Sequence, residues 1–280
     1  MSAVCNGMFA HGGFRPFCAT FLNFIGYALG AVRLSALSRF GVMYVMTHDS
    51  IGLGEDGPTH QPVEMLESLR AMPNLLLMRP CDGNETVGSY VVAMENSHVP
   101  SVLCFSRQAV PTLLGSSAEK VAHGAYTLME CGSSSSSSSS TNSDRPSLIL
   151  AATGTEVSLA VAVARVLTEG NADLRVRVVS MPCWELFDQQ SAAYQLEVFA
   201  AGSPVMSIEA SAAHGWRKYA HAPFGLETFG TSAPGGAAYS HFGFTVPNLV
   251  DRAKEVIAFY PSGAPSLLNY PRFPTLGASH

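Results

Sequence analysis

The sequence predicts two α/β sandwich domains with mainly parallel sheets, and three observations lead to this fold class. The chain has 280 residues, enough for two domains that each bury their own core. Apolar residues make up 47% of the chain and charged residues only 13%, as expected when helices cover buried sheets. Short apolar runs then alternate with segments of helical periodicity, which is the pattern of parallel strands joined by crossover helices.

Both halves of the chain show this alternation. Short apolar runs predict strands at residues 42–46, 75–77, 102–105, 147–151 and 205–208, of which 42–46 and 102–105 are expected to be buried. Residues 174–179 predict a strand with a charged edge. Apolar residues at helical spacing predict helices at residues 30–38, after Pro62, at 86–94 and 156–167, starting within 214–221, and at 246–259. Ligands of such sheets bind at loops that leave the carboxyl ends of strands, so the candidate site is expected there.

A serine tract interrupts the pattern. Residues 132–142 read GSSSSSSSSTN, which offers nothing to pack and predicts a tether between two folded halves or a surface insertion. We therefore divide the chain into a first domain at residues 1–130, a serine-rich linker at 131–144 and a second domain at 145–280.

Charge and composition exclude several classes of protein. The net charge of −5 and the pI near 6.0 argue against nucleic acid as the main partner, which needs a basic surface. Polar residues interrupt the apolar segment 21–37, so no membrane span is expected. Without a signal peptide or an S-K-L ending, the cytoplasm is the expected compartment. Six cysteines with no C-x-x-C pair predict reduced thiols.

The densest group of polar residues follows the apolar run 42–46. Residues 47–61 read THDSIGLGEDGPTHQ, with two histidines, three carboxylates and three glycines in one loop. A buried strand that delivers so many polar groups to one place needs a ligand, a metal or water to satisfy them. Arg107 also follows a predicted strand, so Arg107 and His48 could share an anionic group.

Several interpretations of this loop compete. The spacing G-x-G-x-x-G at residues 52–57 matches a dinucleotide fingerprint, but Glu55 and Asp56 would lie beside the pyrophosphate and Pro58 would delay the helix. A metal site from His48, Asp49, Asp56 and His60 is a second interpretation, although the spacing matches no familiar ligand pattern. A sugar-binding loop, with histidines and aspartates bonding hydroxyls, and a self-satisfied turn without ligand are the others.

The loop is also similar to a known family signature. The string T-H-D-S-I-G-L-G-E-D-G-P-T-H-Q-P at residues 47–62 resembles the signature of transketolases. Six further segments fall in the order of that family: FLNF with Tyr27, AVRLSAL, RPCD, FSRQ, ATGTEV and FGFT. The resemblance covers nearly the whole chain except the serine tract.

The resemblance implies a fold and an activity. The first domain resembles most of a pyrimidine-binding domain with a thiamine-diphosphate-binding fold, and residues 145–280 resemble the C-terminal domain of the family. Transketolases transfer a two-carbon ketol unit from a ketose phosphate, such as xylulose 5-phosphate, to an aldose phosphate, such as ribose 5-phosphate. Thiamine diphosphate, held with Mg²⁺ or Ca²⁺, supplies the carbanion chemistry of this step in the pentose phosphate pathway.

The resemblance also assigns roles to residues. His48 and Arg107 match residues that hold the substrate phosphate, and Asp56 matches a carboxylate that contacts a substrate hydroxyl. His60 matches a histidine that bonds the C1 hydroxyl and helps proton transfer. An aromatic pocket for the aminopyrimidine ring is matched by three residues, whose spacing suits a helical turn or a tight loop: Phe21, Phe24 and Tyr27.

The match is partial. The glutamate that activates the cofactor in this family precedes the segment that aligns with Met1, and the pyrophosphate-binding domain with its metal ligands has no counterpart here. We therefore expect a transketolase fragment that is inactive alone and pairs as a homodimer or with a chain carrying that domain. The second subunit of a split transketolase and a non-catalytic sugar-phosphate-binding or dimer-forming module are the alternatives.

Overall fold

The computed structural model describes residues 1–132, 145–171 and 173–271, and they form two sheets with helices against them. The first sheet is built from four strands whose order is β1-β2-β4-β3, all parallel. The strands and helices of this part follow in chain order: α1 Ser2–His11, β1 Phe17–Phe21, α2 Leu29–Ser38, β2 Met43–Thr47, α3 Met65–Arg70, β3 Leu76–Met78, α4 Gly83–Glu95 and β4 Ser101–Phe105.

The second sheet has five strands in the order β5-β7-β6-β8-β9, parallel except for β5. Its central strand β6 is buried at all five positions, as its apolar sequence predicts. The elements are β5 Tyr126–Cys131, β6 Leu148–Ala152, α5 Glu156–Thr168, β7 Val176–Ser180, α6 Trp184–Asp188, α7 Ala192–Val198, β8 Val205–Ala212, β9 Ala222–Leu226, α8 Gly235–His241 and α9 Val246–Phe259.

Two mainly parallel α/β sheets with apolar cores confirm the predicted fold class. The helix over residues 246–259 is observed with those bounds. None of the helices in the described part of the chain is long and apolar enough to span a membrane.

The position of the serine tract differs from the predicted division of the chain. Strand β5 ends at Cys131 and pairs with β7 of the second sheet. The tract therefore follows a strand of the second sheet in the chain, and the boundary between the two sheets precedes Tyr126 instead of lying at residue 130. Residues 133–144 themselves lie outside the described part of the chain.

The helix predicted to start within residues 214–221 is wrong. A single short 3₁₀ turn, Gly215–Lys218, occupies this region, and β9 follows it. Trp216 and Tyr219 are both buried in the core of the second sheet, which fixes this turn without a longer helix. Pro223 lies in β9, an edge strand, where a missing N–H is tolerated.

Candidate functional site

Three adjacent strands of the first sheet end at the same level. Phe21 of β1, Thr47 of β2 and Phe105 of β4 are register partners at the carboxyl ends of these parallel strands. His48 follows β2 directly, and Arg107 follows β4 by two residues. The register therefore brings Phe21, His48 and Arg107 to one edge of the sheet.

An aromatic ladder extends this edge. Residues Leu22–Ala28 form a 3₁₀ helix, and three residues complete one turn of such a helix, so side chains three apart align. Phe21 and Phe24 stack with ring centroids 6.0 Å apart, and Phe24 and Tyr27 stack at 6.2 Å. Tyr27 is 92% exposed, so the outer end of the ladder is open. The three-residue spacing of Phe21, Phe24 and Tyr27, which was predicted to suit a helical turn or a tight loop, is thus explained by a 3₁₀ helix.

His48 lies on this ladder in a constrained backbone conformation. Its φ of 60° falls in the left-handed region, which is uncommon for a residue other than glycine. The imidazole stacks on Phe21 with ring centroids 3.6 Å apart, and its Nδ1 lies 2.9 Å from Thr47 Oγ1. Backbone, hydrogen bond and stacking together fix the direction of this ring.

Charged groups surround the half-buried imidazole of His48. Partial burial and then the positive charge of Arg107 lower the pKa of His48 below its usual range, while Asp56 acts in the opposite direction. His60 also lowers this pKa. These four side chains therefore form one electrostatic group, and a neutral His48 is favoured at neutral pH.

His60 also packs against the ladder. Its ring meets Phe24 edge to face at 5.0 Å, and its Nδ1 lies 2.9 Å from Thr59 Oγ1. Asn23 donates a 2.5 Å hydrogen bond to the Thr59 carbonyl, which ties this part of the loop to the 3₁₀ helix. Since Nδ1 is occupied, the Nε2 atom of His60 is the one available to a ligand.

Asp49 follows His48 but belongs to a buried ion network. Arg79 is 0% exposed; its Nε lies 2.8 Å from Asp49 Oδ2 and its Nη1 2.5 Å from Glu156 Oε2. The Thr153 hydroxyl accepts a further bond from Arg79 at 3.0 Å. Burial raises the pKa of Asp49, although Arg79 opposes the shift. Because Asp49 is held by Arg79, it does not converge with His48, Asp56 and His60 on a metal.

The network continues to Glu209 of β8. Arg70 donates to both oxygens of Glu209 at 2.7 and 2.8 Å and lies 3.6 Å above the ring of Trp184. Trp216 Nε1 also donates to Glu209 at 2.8 Å. Burial would raise the pKa of Glu209, but Arg70 and Arg79 outweigh it, and the pKa falls to about 2.

Sequence reasoning missed this network, which joins the two sheets. A lone glutamate within the apolar run of β8 was a signal, because a buried charge needs a partner. The identity of the partner could not be inferred, since Arg70 and Glu209 are 139 positions apart.

Taken together, the edge offers an aromatic wall, one cation, one carboxylate and two imidazoles. Such groups can bind an anion at one end of a ligand and hydroxyls at the other. No group of three metal-binding side chains that could hold an ion occurs among the residues that the structure describes. The set therefore suits a phosphorylated polyol and an aromatic ring.

Comparisons with known proteins match both halves of the chain. Residues 1–112 match the model of the transketolase pyrimidine binding domain, and residues 124–245 match the model of the transketolase-like C-terminal domain. The transketolase of Kluyveromyces lactis is 49% identical over 261 residues, which is 93% of this chain and 36% of that protein. This chain therefore spans about a third of the length of that relative.

Solved structures show the same similarity. A transketolase from Leishmania mexicana is 51% identical with a TM-score of 0.88, over 95% of this chain and 38% of that one. A transketolase complex with sedoheptulose 7-phosphate from Pichia stipitis is 45% identical with a TM-score of 0.89, over 97% of this chain and 38% of that one.

Proposed function

Because this chain belongs to the transketolase family, we propose that it forms the sugar-phosphate-facing half of a transketolase active site. The complete site transfers a two-carbon ketol unit reversibly from a ketose phosphate to an aldose phosphate, such as ribose 5-phosphate. The observation that carries the proposal is the common edge of β1, β2 and β4, which gathers Phe21, His48 and Arg107.

The phosphate end of the substrate is assigned to His48 and Arg107. Arg107 is exposed and can present a planar fork to a phosphate. His48 is poised to gain a proton when a dianion arrives, because its pKa is lowered in the free chain by burial and by Arg107. The binding of a phosphate dianion would therefore favour the protonated form of the His48 imidazole.

The hydroxyl end is assigned to Asp56 and His60. The carboxylate of Asp56 is exposed and accepts from a hydroxyl. His60 would hold or move a proton at Nε2 beside the C1 hydroxyl, since Thr59 occupies Nδ1. A general acid–base histidine contributes roughly 10²–10⁴-fold to a rate.

The aromatic ladder fits the aminopyrimidine ring of thiamine diphosphate. Phe21, Phe24 and Tyr27 present stacked faces whose outer end is open, which suits a flat heteroaromatic ring. When bound, this cofactor supplies the carbanion chemistry. We assign the diphosphate and its Mg²⁺ or Ca²⁺ to the pyrophosphate-binding domain of the family, whose ligands the resemblance places outside the matched segments.

A partner chain is part of the proposal. Val87, Val91 and Met94 lie on one face of α4 and are 57%, 48% and 52% exposed. An apolar stripe of this kind is typical of an interface. We assign it to a chain that carries the diphosphate-binding domain or to a second copy, with the split-enzyme subunit and the dimer-forming module as alternatives. The cytoplasm stays our predicted compartment.

Isothermal titration with ribose 5-phosphate tests the assignment. Arg107→Ala is expected to weaken binding by about 10- to 100-fold, because a hydrogen bond to a charged group contributes about 1.5–3 kcal/mol. Arg33→Ala is the matched control, since Arg33 is an exposed cation on α2. Equal affinities of the wild type and Arg107→Ala would refute the phosphate site.

A further inference from the structure

The loop that carries the proposed substrate groups has little regular structure. Between β2 and Gln61 it contains only the short 3₁₀ turn Ile51–Leu53 among its described residues. The Gly57 carbonyl accepts bonds from the amides of His60 and Gln61 at 3.0 and 3.1 Å, and the Gly57 amide bonds the Gly54 carbonyl at 3.2 Å. Such isolated turns need support from outside the loop to hold one conformation.

Three hydrogen bonds between described residues join the second domain to this loop. Tyr239 Oη lies 3.2 Å from Ser50 Oγ at the start of the loop. Ser232 Oγ donates to the carbonyl of Glu55, the residue before Asp56. The Thr231 carbonyl accepts a hydrogen bond from Gln61 Nε2 at 3.0 Å, and Gln61 directly follows His60. We call these three residues of the second domain the loop clamp: Thr231, Ser232 and Tyr239.

Gln61 joins the clamp to the interior of the loop. The side chain is 1% exposed, and its Nε2 also donates to the carbonyls of Gly54 at 3.0 Å and Ile51 at 3.3 Å. One amide therefore links the loop's first turn, its glycine corner and the second domain.

The fit between the loop and the clamp is close. Gly57 has a φ of 75°, and a Cβ there would lie 3.0 Å from Ser232 Cβ. Glycine is needed at this corner both for its backbone conformation and for the close approach. The loop thus lies directly on the clamp rather than being bridged across a gap.

The clamp is itself anchored in the buried network. Tyr239 Oη lies 3.1 Å from Thr155 Oγ1 and donates to Glu156, which also binds Arg79. The hydroxyl that meets Ser50 is therefore fixed by the corner between β6 and α5. Movement of the loop start would therefore disturb the contacts of the buried Glu156 carboxylate.

We propose that the loop clamp is a positioning element of the sugar-phosphate site: the second domain holds Asp56 and His60 at the distance from His48 that the substrate requires. The inference rests on the proposed function, because it assigns that loop to the substrate. Among the described residues no hydrogen bond or ring contact joins the clamp to His48, Asp56 or His60, so it acts through the loop backbone.

A matched pair of serine variants tests the clamp. Ser232→Ala removes the bond to Glu55, and Ser240→Ala, on the exposed face of α8, removes a hydroxyl with no described contact to the loop. We expect Ser232→Ala to speed hydrogen exchange at the amides of Gly57, His60 and Gln61 by about 2- to 10-fold, as loss of one hydrogen bond implies. Ribose 5-phosphate should bind more weakly by a similar factor, with an unchanged urea midpoint.

Two further variants sharpen this test. Ser232→Thr keeps the hydroxyl and should restore both exchange and affinity. Gln61→Met keeps the size of the side chain but removes three hydrogen bonds, so its effect on exchange should exceed that of Ser232→Ala.

The outcomes separate the clamp from the proposed function. Unchanged exchange at those amides in both Ser232→Ala and Gln61→Met would overturn the clamp, whatever binds. Faster exchange without any binding of ribose 5-phosphate to the wild type would support the mechanical link and reject the substrate assignment.

Discussion

His48 and Asp49 are neighbours in the chain, yet they belong to regions of opposite character. His48 faces a half-open edge where Asp56 and Arg107 are exposed, and its partners are an aromatic ring and a hydroxyl. Asp49 enters a buried network in which Arg79 is 0% exposed. One loop therefore presents the proposed ligand-binding groups on one side, and on the other side it takes part in the ion network that joins the two sheets.

The residues proposed to bind ligand and the residues that stabilise the fold are therefore different ones. Exposed groups can be exchanged at little cost to stability, because water replaces their lost contacts. Buried groups cannot, because loss of one partner leaves the other charge without compensation. Stability and ligand binding should therefore respond to different substitutions in this molecule, although both sets flank the same strand.

The largest expected effect is on the buried side. Arg79→Met should lower the free energy of unfolding by about 3–5 kcal/mol, because Asp49 and Glu156 lose their shared cation. Arg107→Met, the exposed counterpart, should change it by no more than about 0.5 kcal/mol. Urea unfolding followed by circular dichroism measures both. If both variants lose a similar amount of unfolding free energy, the buried and exposed regions do not differ in their contribution to stability.

The next effect is a pH dependence from Glu209. Its folded-state pKa is about 2, because Arg70 and Arg79 outweigh the effect of burial, whereas 4.5 is the ordinary value. This carboxylate therefore stabilises the fold above about pH 4.5, and the stabilisation is lost as the pH falls from there towards 2. In that window, the free energy of unfolding of the wild type should fall with decreasing pH more steeply than that of Glu209→Gln. The difference between the two slopes should reach about 1.4 kcal/mol per pH unit.

Denaturant unfolding between pH 6 and pH 3 measures this slope. The exposed Glu227→Gln variant is the control, and its profile should follow that of the wild type. Parallel profiles for wild type and Glu209→Gln would show that the ion pair with Arg70 does not control acid stability.

The smallest effect is a shift at His48. Burial and Arg107 lower its pKa in the free chain, and a bound phosphate dianion should raise it by about one unit. Titration of the imidazole by NMR, with and without ribose 5-phosphate, measures the shift, and the exposed His241 serves as an internal control. If the pKa of His48 is the same with and without saturating ribose 5-phosphate, His48 does not belong to the phosphate site.

Local patterns predicted several of the regular elements. The strands around residues 42–46 and 102–105 lie within one residue of the observed β2 and β4, because continuous apolar runs are buried on both faces. The predicted edge of polar residues followed from these strands. Strands β1, β5 and β9 were missed. The run Phe17–Phe21 of β1 has an irregular burial pattern that resembles neither a buried nor an alternating strand.

Long-range contacts were beyond local patterns. The 3₁₀ helix that aligns Phe21, Phe24 and Tyr27 depends on packing of Leu22 and Ile25, which are fully buried. The contacts between Arg79 and Glu156, or between Ser232 and the Glu55 carbonyl, join positions 77 and 177 apart. No periodicity encodes such pairs, so the network and the clamp emerged only from the folded chain.

The most direct measurement is transketolase activity of the purified 280-residue chain with xylulose 5-phosphate, ribose 5-phosphate, thiamine diphosphate and Mg²⁺. It should be assayed alone and mixed with a chain that carries the part of the Kluyveromyces lactis relative not matched here. We expect no turnover by the chain alone and turnover in the mixture. Clear turnover by the 280 residues alone would contradict the account of a site completed by a second chain.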